Sequence, residues 1–365
     1  MRIFAPQKHN FSDPVMKTGK QYLSAHKLLI LLLFSLTLSA CHRHDVKHYL
    51  RKGTEEFRAK NMKGALDQFN QAIEEDPKSV DAFYYRALVY DKLNNPAQAM
   101  ADLNTVIRMN PRYRFAHTNR AGLYLKQGKQ KEALADFALE LMTYPSEIEV
   151  YHSRSKIYFD NKQFDLAIQD NSAALKIDSK NLFSLFNRAL AYTETAQYAK
   201  AIADFDAIIA LEPSFKSAHA SRAMLKIRMG KNADAIADFT EELKYYPKEA
   251  QLYEFRARAY FNAAKYDKAV ADYSKAMELN PKNQENLLNR AFVYAKARQN
   301  KEALADYNKV LSQNPKQVAA LINRGAVHQS MGNNDLAIAD LKKAVDLGSA
   351  EASKILKTIF HVDYP

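Results

Sequence analysis

The chain has 365 residues, a formal charge of +12, 47% hydrophobic residues with 21 tyrosines, 19 phenylalanines and no tryptophan, and only 9 glycines. That is enough apolar surface to bury helix faces, and the few glycines and lack of strand-like alternation exclude a β architecture. A single cysteine excludes an intramolecular disulfide framework. Acidic and basic residues alternate without a lysine or arginine run, so no nucleic-acid partner is expected.

The first 40 residues carry Arg2, Lys8, Lys17, Lys20 and Lys27 against Asp13 alone. Lys27 precedes an apolar run of eleven residues, Leu28 to Leu38. A bilayer-spanning helix needs about 20 residues. This length suits the hydrophobic region of a signal peptide with a basic flank, starting at Met1 or at Met16, which Lys17 follows. The run closes on Leu38-Ser39-Ala40-Cys41, which resembles the bacterial lipobox. That resemblance implies that the Cys41 thiol is acylated, that residues 1–40 are removed and that 41–45 form a lipid-anchored tether. Several acyl chains, at about 0.8 kcal/mol per buried methylene, make such an anchor stable without a transmembrane helix. In the enterobacterial pattern an Asp after the cysteine retains lipoproteins at the inner membrane. His42 therefore favours the outer membrane, with the protein facing the periplasm. His42, His44 and His48 have no regular helical spacing and no accompanying carboxylate set, so they read as solvated tether and no metal site is expected.

From residue 46 the chain is periodic. Pro77, Pro111, Pro145, Pro213, Pro247, Pro281 and Pro315 are separated by 34 residues or multiples of 34, and Ser179 and Ser349 take the skipped places. Such a period means one structural unit repeated in a stack. With the proline as position 32, nine units run from Val46–Ser79 to Val318–Glu351. Position 20 is alanine in each (Ala65 to Ala337) and position 8 is Gly, Ala or Ser, so two helices can approach closely. Positions 20, 21, 24 and 28 predict an apolar stripe on the second helix. The proline, which cannot donate an amide, ends that helix. In the fourth unit Asn171 and Ser179 break the pattern and predict a local kink or softness. Position 7 is arginine from Arg86 to Arg324 and position 23 is aspartate from Asp102 to Asp340, which predicts an Arg–Asp ladder that sets register. After the ninth unit, Ala352, Ile355, Leu356 and Ile359 predict an apolar face on a capping helix within 352–365.

Small residues at positions 8 and 20, Tyr90, Tyr124, Tyr158, Tyr192, Tyr260 and Tyr294 at position 11, and proline at 32 together resemble the tetratricopeptide repeat family over residues 46–351. The resemblance implies an all-α chain, a right-handed α-solenoid of helix-turn-helix units with a C-terminal capping helix. It also implies that the concave surface is formed by positions 2, 5, 9, 12 and 13 of the first helices. Here those positions include Phe115, Lys126, Phe159, Phe183, Phe186, Leu190, Met224, Ile227, Arg258, Phe261 and Phe292. Apolar side chains without a required helix partner mark a candidate docking face for a protein or peptide ligand with apolar anchors and acidic character. The opposing expectation is that these rings pack on neighbouring first helices. The basic-then-Asn pair of chaperone-binding members is absent at positions 5 and 9, and Asn119, Asn187, Asn289 and Asn323 match the asparagine ladder of sugar transferases only in part.

No Gly-rich phosphate loop, nucleophile elbow or metal-spaced His/Cys set is present, and the histidines of the repeats are dispersed, so neither catalysis nor a cofactor is expected. The chain is expected to be a lipid-anchored adaptor of the cell envelope. A pilotin-like factor for a pilus or secretion system and a surface-displayed host-interaction protein are the rival readings.

Overall fold

A computed structural model describes residues 45–364. Among these, every regular element is helical: nineteen helices and no strand. The helices form two compact units, one ending at Val150 and one beginning at Tyr151, a division that falls inside α7. The first unit holds α1 (45–58), α2 (Met62–Glu75), α3 (Val80–Lys92), α4 (Pro96–Met109), α5 (Ala116–Lys126) and α6 (Gln130–Thr143), and α7 (Ile148–Asp160) follows. The second unit continues with α8 (Phe164–Ile177), α9 (Leu182–Glu194), α10 (Tyr198–Leu211), α11 (Ala218–Arg228) and α12 (Asn232–Tyr245). It ends with α13 (Ala250–Asn262), α14 (Tyr266–Leu279), α15 (Glu285–Lys296), α16 (Asn300–Gln313), α17 (Val318–Ser330), α18 (Asn334–Asp346) and α19 (Ala350–Ile359).

Odd and even helices pair as the first and second helices of the repeats. The alanine at position 20 is 0% exposed in all nine, and small residues at position 8 leave its backbone approachable. Gly53 shows how tight this is, because a Cβ there would lie 2.5 Å from the Phe69 ring. The fully buried line of the second helix runs through positions 20, 24 and 27, an i, i+4, i+7 series that includes Ala201, Phe205 and Ile208. Positions 21 and 28 flank this line. Ile202 and Ile209 are half-buried, so the stripe is rotated slightly from the one expected.

Turns between paired helices share one device. The residue at position 15 has positive φ in every repeat, and the next amide donates back five residues to the end of the first helix, as Gln197 N does to Tyr192 O at 2.8 Å. This left-handed helix cap favours glycine, yet only Gly128, Gly230 and Gly332 meet the preference. Ala196 (φ 56°) and Ala264 (φ 54°) bear the Cβ penalty. Ala196→Gly and Ala264→Gly are each expected to raise stability by about 0.5 kcal/mol, the left-handed strain relieved less the extra entropy of the unfolded glycine. An upward shift in the urea midpoint without a change in slope checks this.

The fourth repeat absorbs its departures. α8 ends at position 30 like its counterparts, with Asp178 extended at φ −132°, and the Asp178 side chain accepts from Lys180 N at 3.0 Å, as Asp76, Asn110 and Asn314 do in other turns at 2.9–3.2 Å. Asn171, 0% exposed, donates to Ser155 Oγ at 2.5 Å and to the Ala167 carbonyl at 2.9 Å. A polar residue at position 24 is thus matched by a hydroxyl at position 8. At the C-terminal end Ala352 and Leu356 of α19 are buried and Ile355 packs beside them, whereas Ile359 is exposed. The chain reverses at His361 (φ 55°), Val362 N donates to Leu356 O at 3.0 Å, and Phe360, Val362 and Tyr364 cover the core in place of Ile359.

Candidate functional site

The arginine at position 7 and the aspartate at position 23 meet in all eight repeats that carry them. In each, Nε and Nη2 engage the two carboxylate oxygens, as in Arg188–Asp204 at 2.8 and 2.7 Å. In seven of the eight the third nitrogen, Nη1, reaches back to position 25 of the preceding repeat, for example Asn70 from Arg86 (2.9 Å), Ser172 from Arg188 (3.2 Å) and Thr240 from Arg256 (3.1 Å); the residue at that position before Arg154 is Ala138, which offers no side-chain acceptor. One guanidinium therefore closes its own hairpin and ties it to its neighbour. Its flat face lies 5.8–5.9 Å from the position-11 tyrosine ring in six repeats, a cation–π contact. In the sixth repeat Lys226 replaces that tyrosine and binds Asp238 at 2.8 Å. With all three nitrogens engaged by protein acceptors in seven of the eight, and two in Arg154, this row is structural and offers little to an anion.

A second device recurs at a separation of 102 residues, three repeats. Phe115 and Ser217, the N-caps of α5 and α11, take left-handed conformations (φ 66° and 72°). Their amides donate to the buried carboxylates Glu140 (2.6 Å) and Glu242 (2.7 Å), which occupy position 27 of the facing helix. Tyr144 and Tyr246 hydroxyls then bind the Arg112 and Ser214 carbonyls. A negative charge in the core is here satisfied by the positive end of a helix. His117 and His219 sit beside these caps. His117 Nδ1 is 3.2 Å from Asp136 and His219 Nδ1 is 3.9 Å from Glu242.

Burial lowers the His219 pKa below its ordinary 6.5; Glu242 and Asp238 pull it upward and Arg222 downward, without reversing the shift. Because the unfolded chain takes up this proton first, the contribution of His219 to stability is present above pH about 6.5 and declines as pH falls below it. The melting temperature is accordingly expected to drop between pH 7.5 and 5.5, with a shallower drop in His219→Gln.

The expected ligand-binding residues separate into distinct settings. In the first unit, Phe115 is half-buried under the Arg114 guanidinium (4.8 Å), and Lys126 is exposed but paired with Asp91 at 2.6 Å. In the second unit, Phe186 is half-buried against Phe205 (5.8 Å) and Phe215 (5.5 Å). Met224 and Ile227 lean on the core of α11, α12 and α13. Phe261 and Phe292 stack on each other at 5.5 Å, with Lys296 over Phe292, while Arg258 is exposed.

Phe159, Phe183 and Leu190 come together. They line a cavity of about 260 Å³ between α7 and α9, rimmed by Ser155, Lys156, Asp160 and Asn187. Phe183 is 55% exposed, the most exposed of the apolar residues on this face, with its ring 4.7 Å from His152. Lys156 and Asp160 pair across one helical turn at 2.9 Å, so the rim is polar and locally neutral. The one signal for Asp160 in the sequence is its i, i+4 spacing to Lys156. Cys41, His42 and His44 lie outside the described residues. Among the described residues no group of three His, Cys, Asp or Glu side chains could hold a metal ion, and no helix is long and apolar enough to cross a membrane.

Known proteins share the repeat and its fold. A tetratricopeptide repeat profile matches residues 86–147, 221–283 and 288–352, and two others with the same description match 69–101, 148–181 and 184–215. No curated protein matches the chain in sequence. Among solved structures, the C-terminal part of a TPR repeat-containing protein from Cytophaga hutchinsonii is similar, with a TM-score of 0.59 and 18% identity over 65% of this chain and 98% of that one. A tetratricopeptide repeat protein from Parabacteroides merdae aligns with a TM-score of 0.38 and 21% identity over 77% of this chain and 98% of its own. At 18% identity the likeness to the Cytophaga hutchinsonii protein is one of fold. The fold is that of a protein–protein interaction scaffold, and with one profile covering more than half its length, the chain belongs to the tetratricopeptide repeat family.

Proposed function

We propose that this protein is a lipid-anchored adaptor of a bacterial cell envelope, on the outer membrane and facing the periplasm, which holds a peptide or protein segment on its first-helix face. The observation that carries the binding half is the cavity floored by Phe159, Phe183 and Leu190, because Phe183 stays 55% exposed beside an open apolar hollow even with its ring against His152. The neutral polar rim of Lys156, Asp160 and Asn187 suits an extended segment that inserts one apolar side chain and hydrogen-bonds along its backbone. The anchoring half rests on one cysteine in the chain standing at the end of an eleven-residue apolar run.

Both halves have a direct measurement. Labelled palmitate is expected to enter the wild-type protein and not Cys41→Ser, which should leave the membrane fraction. A photocrosslinking residue at position 183 is expected to capture a partner that one at exposed Lys248 does not. Phe183→Ala should weaken that partner by about tenfold or more while leaving the melting temperature within a degree or two, since the ring buries little. Equal capture at both positions, or label retained in Cys41→Ser, would refute the corresponding half.

A further inference from the structure

The net positive charge of this chain is concentrated on one edge. The turns that join the two helices of each repeat (positions 14–16), with the last residue of the first helix and the first three of the second, make an edge of positions 13–19. In the first three repeats these turns hold seven cations against a single carboxylate, Glu132. The same positions in repeats four to nine hold nine cations against seven carboxylates and are close to neutral. The backbone device is the same in all nine turns, so the turn geometry does not account for the difference.

Six of the seven cations, Arg58, Lys60, Lys63, Lys92, Lys129 and Lys131, are exposed and make no ion pair among the described residues. The seventh, Lys126, is held by Asp91. Other carboxylates facing the edge are few: Glu56 is taken by the Asn61 amide at 2.7 Å, and Glu132 stands alone. Five of these six cations are lysines, whose compact charges lack the fork of arginine. Such a surface recognises a diffuse negative field better than a single carboxylate or phosphate held in fixed geometry.

We propose that the turn edge of the first three repeats binds the anionic headgroups of a lipid bilayer. The inference rests on the anchoring half of the function proposed above for the reason that a membrane is always at hand. The charged repeats are those that follow Cys41 most closely, with three residues between it and the described start of α1. A segment of that length spans at most about 14 Å, and α1, with 14 residues, rises about 21 Å. When the first helices lie along the surface, the cationic turns come within reach of headgroups, where each lysine or arginine adds to binding in the manner of a juxtamembrane basic segment. The edge then fixes how the anchored protein lies on the membrane, which a flexible tether alone would leave undefined.

The test uses the full-length chain and two kinds of vesicle, pure phosphatidylcholine and a mixture in which one third is phosphatidylglycerol. Acyl chains or the apolar leader contribute to both, so the ratio of the two partition coefficients isolates the charge term. The wild-type ratio is expected to be at least tenfold at low salt and to fall toward one as sodium chloride rises from about 50 to 500 mM. Reversal of Lys63, Lys92, Lys129 and Lys131 to glutamate should abolish it. Reversal of Arg228, Lys231, Lys265 and Lys301, at corresponding turns of the second unit, should leave most of it. A wild-type ratio near one, a ratio insensitive to salt, or equal losses in the two variants would overturn the proposal. If the first variant fails to fold, as circular dichroism would reveal, the salt dependence of the wild type and the lysine-to-glutamine versions decide. Mass measurement of Cys41 acylation on the same samples reports separately on the anchoring itself.

Discussion

Asp136→Asn is expected to cost about 3 kcal/mol, among the largest losses available to a single polar substitution in this array. Asp136 is 3% exposed and receives Arg120 through two hydrogen bonds, at 2.8 and 2.6 Å, with His117 Nδ1 at 3.2 Å. Burial alone would raise its pKa; the hydrogen bonds from Arg120 and His117 outweigh burial and hold it below the ordinary 3.8. An amide leaves the guanidinium half-buried with one acceptor where it had a charge, and breaking one partner of such a pair costs more than the pair contributes net. Arg120→Met with Asp136→Leu should therefore recover much of the loss, and a double-mutant cycle measures how much. The pH dependence separates this from a packing defect. A depressed carboxylate stabilises fully above its unfolded pKa, near 4, and the contribution disappears as pH falls through the folded value. Wild type should lose stability below pH about 4 more steeply than Asp136→Asn, and unfolding curves at pH 7 and pH 3 check it.

The second large effect is at the buried glutamates. Glu140→Ala and Glu242→Ala are each expected to lose about 2 kcal/mol. At 1% and 2% exposure, each carboxylate accepts the amide of a left-handed N-cap on the facing helix, and its removal leaves that amide without a partner. The loss is local: amide exchange should quicken at the start of α5 or α11 before it does elsewhere, because neighbouring repeats contact only their own neighbours. Glutamine, which keeps an acceptor oxygen but not the charge, should recover part of the stability in both positions. Uniform acceleration of exchange along the whole chain would show instead that the glutamates act through general packing.

These two sites differ in how well the sequence announced them. The Arg–Asp pairing could be read directly, because both residues recur at the repeat period and a matched row of charges in a helical hairpin has few other places to go. The glutamates could not, since position 27 is Ala, Val or Ile in the other repeats and a carboxylate there reads as a surface residue until the facing helix is seen to start late. Their signal is the 102-residue echo of His117, Glu140 and Tyr144 in His219, Glu242 and Tyr246, which a 34-residue period does not contain.

The same split applies to the candidate binding face. Several of positions 2, 5, 9 and 12 of the first helices are apolar in the sequence, but the letters do not distinguish a ring that packs from one that waits. Phe186 and Phe183 are three residues apart on α9; the first lies against Phe205 and Phe215, the second is 55% exposed over a cavity. A helix turns about 100° per residue, so three residues place two side chains on neighbouring rather than identical faces, and which of them meets the adjacent repeat depends on how the hairpins pack.

By itself, the sequence determined the repeat length, the all-helical class, the small residues that let helices meet and the pairing of every position-7 arginine. Each of these is periodic, and a period survives without knowledge of the packing angle. Tertiary structure decided which apolar side chains remain uncovered, where a buried charge finds a helix end, and what the residues of the three-repeat echo do. Those depend on contacts between residues far apart in the chain, whose distances and angles no local pattern encodes.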